Sequence, residues 1–150
     1  MNDNISIKGE VSIRGYNAQG EQVLAIDKSN LVVTTGKQRM AALLAAANGD
    51  YLIDGIIFGT GAAAPTLGDT YAGITSPFEK AIGLASYPTA NSVQFAWSLE
   101  FAESNGVTIR EIGLVSGLGA GSEALFARIV TDAIAKTSGL RLEGSWKITF

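Results

Sequence analysis

From Val93 to Phe101 the chain alternates: Val93, Phe95, Trp97, Leu99 and Phe101 are large and apolar, with Gln94, Ala96, Ser98 and Glu100 between them. The same period returns at the C-terminal end, where Leu140, Leu142, Trp146, Ile148 and Phe150 are separated by Arg141, Glu143, Lys147 and Thr149. Side chains of an extended strand point to opposite faces in turn, so a period of two marks a strand with one buried face. No helix satisfies that pattern, and the chain must therefore build its core largely from sheet.

The rest of the sequence extends this reading. Ile5, Ile7, Val11 and Ile13 alternate with polar residues, Asn17 to Gly20 supplies turn chemistry, and Glu21 to Ile26 reads as the return strand of a hairpin. Further short strands are expected at Asn30–Thr35, at Tyr51–Phe58 (weakened by Gly55), at Val107–Val115 and at Ala124–Thr131. Met40, Leu43, Leu44 and Ala47 fall at helical spacing and predict one helix over about 37–47, packed on more than one side because alanine fills the rest of its surface. The stretch from Tyr71 to Pro88 admits both a short helical turn and an edge strand around Lys80 to Tyr87. Seven to nine short strands with turns between them indicate a mainly β fold, an antiparallel β-sandwich or partly closed barrel with the helix inserted at an end or over a face. No linker or repeat divides residues 1–150, so one domain is expected, with the 1–28 hairpin a candidate assembly arm.

Composition removes whole classes of function. The chain has no His and no Cys. It therefore lacks the commonest general base, the commonest transition-metal ligand, any thiolate nucleophile and any disulfide. Net charge is −3 and the basic residues are scattered, which argues against a nucleic-acid partner. The longest apolar run, Met40–Ala47, is too short for a membrane span, and Met1-Asn2-Asp3-Asn4 does not open a secretory signal. Apolar residues make up 47% and charged residues only 17%, more apolar than a freely soluble monomer needs, so burial between subunits is expected.

Candidate sites are few. Gly36-Lys37 looks like the end of a phosphate loop, but Gln38 stands where Ser or Thr is required, and a helix start explains it better. Gly117-Leu118-Gly119-Ala120-Gly121 follows a strand as a dinucleotide loop would, yet strand-like sequence comes after it, so no helix N-terminus is available for a pyrophosphate. Glu100, Glu103, Glu111, Asp54 and Asp69 show no spacing that separates an acid from a base; for Glu100 a cross-strand ion pair is expected. Asp69 alone does not make a calcium loop and is read as capping the turn that follows it. Trp97 and Trp146 are expected in the core, while Tyr16, Tyr51, Tyr71 and Tyr87 stand nearer loops. No cofactor, metal site or catalytic group is expected.

Several segments together resemble a known family. Asn30-Leu31-Val32-Val33-Thr34-Thr35-Gly36 leads into an Ala/Leu helix; Ile57-Phe58-Gly59-Thr60-Gly61, Pro65 and Gly68-Asp69-Thr70 follow; then come Ile109-Arg110-Glu111-Ile112-Gly113-Leu114, Leu125-Phe126-Ala127-Arg128, Ile134-Ala135-Lys136 and Trp146-Lys147-Ile148-Thr149-Phe150. This succession is similar to small virion structural proteins of tailed bacteriophages, of the tail-fibre and baseplate type. The resemblance implies a tail-associated building block of a virion, with no reaction and no cofactor. It would be made in the host cytoplasm and act by docking to copies of itself, most simply as a trimer, and to neighbouring virion proteins. A capsid decoration or head-fibre protein is the nearest alternative, and a module binding host-surface glycans through exposed Tyr and Trp is the alternative of another class. The loop residues Gly59, Thr60, Gly61, Pro65, Gly68, Asp69 and Thr70 are the expected subunit contact, because the glycines permit close backbone approach.

Overall fold

The computed structural model describes residues 6–45, 51–83 and 85–150. Its strands are β1 (Lys8–Tyr16), β2 (Gln22–Val32), β3 (Ile53–Gly59), β4 (Phe78–Ala81), β5 (Ser92–Leu99), β6 (Thr108–Ser116), β7 (Ala124–Ala135) and β8 (Arg141–Thr149), with one helix, α1 (Thr34–Leu44). They form an eight-stranded sheet in the order β4-β3-β6-β7-β2-β1-β8-β5, antiparallel at every pairing. The sheet curls into a half-barrel, as the mainly β reading expects.

The period-two segments fall into register with one another. Phe95 lies opposite Trp146, and Leu99 opposite Leu142, all of them buried. Trp97 pairs with Gly144, where an added Cβ would sit 2.0 Å from the indole ring, so a residue without a side chain makes room for the largest one. Across the curl, the Trp97 and Phe58 rings meet edge-on at 5.3 Å, joining β5 to β3 through the interior. The turn before β2 follows its sequence too: Asn17 Oδ1 accepts the N–H groups of Gln19 and Glu21, and Gly20 takes a φ of 80°.

Several expectations need correction. The two short strands read at 21–26 and 30–35 are one strand, β2; Asp27-Lys28-Ser29 breaks the apolar pattern but not the backbone. From Lys8 onward, the hairpin read as an assembly arm is built into the sheet, with β1 between β2 and β8 and Ile13 completely buried. The helix starts three residues earlier than the apolar spacing indicates, with Val33 at its N-cap and no side-chain cap to mark it. The expected end at 46–47 lies outside the described residues. The helix does not pack on more than one side as expected, but lies against β7. Its Gly36 presses on β7, where a Cβ would meet the Phe126 carbonyl oxygen at 2.1 Å, whereas Leu43 and Leu44 are exposed. Between 71 and 88 both alternatives occur: a 3-10 turn at Tyr71–Gly73, then β4, which starts two residues before the expected edge strand and shares only Lys80 and Ala81 with it.

Candidate functional site

The loop after β3 folds back over the outer face of its own sheet. Ile74 and the partly buried Tyr71 cover Val33, Ile57, Val115 and Leu125, a second apolar cluster distinct from the interior core. A buried charge network fixes the loop. Glu111 on β6 is 1% exposed, and its Oε1 accepts the Gly61 N–H at 2.8 Å and the Thr75 N–H at 2.9 Å. Its Oε2 accepts Arg128 Nε at 3.0 Å and Nη2 at 2.7 Å, while Arg128 Nη1 donates to Asp69 Oδ2 at 2.7 Å. Every charge in this network has charge-assisted hydrogen bonds, the condition for keeping ions out of water.

Each expected contact residue has a place in this loop. A Cβ on Gly59 or Gly61 would lie 2.6 or 2.5 Å from Glu111 Oε1, so both glycines serve a close approach, but to the chain's own carboxylate. Thr60 donates its N–H to the Thr75 carbonyl. Asp69 does not cap the following turn, contrary to expectation. It accepts the Thr66 N–H and hydroxyl behind it. Partial burial acts to raise the Asp69 pKa, but the bonds from Thr66 and Arg128 outweigh it and hold the carboxyl below its usual range. Thr70 caps the 3-10 turn through backbone alone, Pro65 is half-buried and Gly68 is exposed. The Leu67 carbonyl receives the Thr34 N–H, tying the loop to the start of α1. Tyr71 donates its hydroxyl to Glu79, which with burial pushes its pKa up to about 12.

The other candidate carboxylates are each engaged by a partner, Asp54 by the Leu118 N–H at 2.9 Å. Glu100 binds Arg141 and Glu103 binds Lys80, each at 2.8 Å. Hydrogen bonds from Ser98 and then Arg141 lower the Glu100 pKa, and the bond from Lys80 lowers that of Glu103. The glycine loop 117–121 is closed by its own Glu123, whose Oε1 takes the N–H groups of Gly119 and Gly121 that an anion would need. Among the described residues, no group of His, Cys, Asp or Glu gathers as a metal site, and no helix is long and apolar enough to cross a membrane.

Among the described residues, an apolar cavity of about 800 Å³ lies at one end of the half-barrel. Phe95, Phe126 and Ile148 belong to its lining, together with Leu43, Leu52, Tyr87 and Phe150. Tyr87 is 79% exposed, whereas Trp97 and Trp146 are 6% and 0% exposed and offer no ring to a glycan. Sequence reasoning missed both this cavity and the Arg128–Glu111 pair. The pair left a trace, since Arg128 interrupts the apolar run Leu125–Val130, but nothing in the spacing says which carboxylate meets it. No protein-family model, curated protein or solved structure matches the chain.

Proposed function

We propose that this chain is a structural protein of a tailed-bacteriophage virion, a baseplate, fibre or collar component that assembles as a homotrimer and docks to neighbouring virion proteins. One observation carries the assembly part of this reading. Of the seven exposed large apolar residues among those described, Leu43, Leu52, Tyr87 and Phe150 line the end cavity, and Leu44, 91% exposed, follows Leu43 on α1. Apolar side chains gathered at one end of a compact β scaffold suit burial against another subunit, and scattered ones would not. The virion part rests on the sequence resemblance, and the paired carboxylates favour a binding role over a catalytic one.

Light scattering at micromolar concentration tests the assembly. A species of three chains is expected, and Leu44→Lys with Tyr87→Lys should reduce it to single chains without changing the circular dichroism spectrum. A wild-type monomer overturns the reading. Genes for sheath, tube and tape measure beside this one would support a tail position, and genes for capsid and portal would move it to the head.

A further inference from the structure

A buried ammonium normally faces a carboxylate. Lys136, the residue after β7, does not. It is 1% exposed, and its Nζ donates to three neutral oxygens: Asn105 Oδ1 and the Thr137 carbonyl, each at 3.1 Å, and weakly the Phe101 carbonyl at 3.5 Å. Glu103 and Glu100 act on it only through space, their carboxylates being bound to Lys80 and Arg141. Burial outweighs the pull of these two charges and lowers the Lys136 pKa, which favours the neutral, nucleophilic amine.

The amide that this amine touches is held still. Asn105, in the turn between β5 and β6, donates its Nδ2 to the Phe101 carbonyl at 2.9 Å. The backbone fixes Lys136 to the same turn from both sides. The Gly106 N–H donates to the Lys136 carbonyl and the Lys136 N–H to the Val107 carbonyl, both at 2.9 Å. The carbon of the Asn105 amide lies at most one C=O bond, about 1.2 Å, further from Nζ than its oxygen does. Groups fixed this close react far faster than the same groups free in solution. Both nitrogens also donate to one oxygen, that of Phe101, so the amine and the amide nitrogen stand side by side.

We propose that Lys136 and Asn105 condense into an intramolecular isopeptide bond, with the hydrogen-bonded pair as the state before reaction. The ammonium first releases one proton to water, and the neutral Nζ then attacks Cγ of Asn105. The Nζ–Cγ bond forms and the Cγ–Nδ2 bond breaks. A second Nζ proton passes to the departing nitrogen, which leaves as ammonia. The product closes residues 105–136 into a ring that holds β6 and β7. A pull on the chain either side of the ring would run through the cross-link and spare that pair of strands. The bond does not depend on the chain's place in a virion.

Mass spectrometry of the full chain, folded and then incubated at mildly alkaline pH, tests the bond. The wild type should weigh one ammonia less than its sequence. Digestion should release a branched peptide that joins the segment carrying Asn105 to the segment carrying Lys136. In Asn105→Ala and Lys136→Arg the branched peptide should be absent. A wild type whose two segments are released separately and at full mass holds a hydrogen bond only, and overturns the inference. Loss of ammonia at Asn105 that persists in Lys136→Arg also overturns it, because Asn105 has then cyclised onto the Gly106 nitrogen. The wild-type peptides decide the matter even where a variant fails to fold.

Discussion

Gly61 and Glu111 show how one missing side chain can hold a loop in place. A Val at 61 would put its Cβ within hydrogen-bond distance of a buried carboxylate that has no room to retreat. Gly61→Val should therefore destabilise the fold by about 1–3 kcal/mol, read as a lower urea midpoint with an unchanged slope. It cannot serve as a clean probe of subunit contact; the exposed Ala62, Ala63 and Ala64 can. Arg128→Met leaves Glu111 buried without its cation and should cost about 3–5 kcal/mol, whereas adding Glu111→Gln should recover part of the loss. If the double variant is no more stable than the single one, the network is not the cause. Asp69 contributes on the acid side. Its folded pKa lies below the unfolded value of about 3.9, so its stabilisation is present above that pH and is lost as pH falls through the lower folded value. Asp69→Asn should flatten this part of the acid denaturation curve relative to wild type.

At the scale of elements, the indoles test the register. Trp97→Ala and Trp146→Ala should each cost about 3–5 kcal/mol, and iodide should quench neither indole efficiently in the native protein. Strong quenching of both would place them outside the core and revive a glycan platform. These two positions were legible because period two is a purely local signal: β5 and β8 follow from alternation, and the inward set Phe95, Trp97, Leu99, Leu142, Trp146 and Ile148 is buried throughout. What stayed hidden was set by partners distant in sequence. β2 continues through Asp27-Lys28-Ser29 because β1 pairs with it residue by residue, a fact no local pattern carries. The start of α1 has no capping side chain to announce it. The partners of Arg128 were not legible because its carboxylates lie 17 and 59 residues away.

For the whole molecule, the strand order matters more than any single contact. β8 lies between β1 and β5, so the first strand and a strand near the middle of the chain are joined only through the last. A nascent chain leaving the ribosome can close the β1–β2 hairpin early and can pair β6 with β7. The six strands from β4 to β1 can pair without the final strand, but β5 must wait for it, with the edges of β1 and β5 bare in the meantime. Pairings this distant in sequence fold slowly, and bare edges invite association with the wrong neighbour. Synthesis at high copy number in one cell would thus place β1 and β5 of many unfinished chains side by side, and yield would depend on how quickly translation delivers the C-terminal strand.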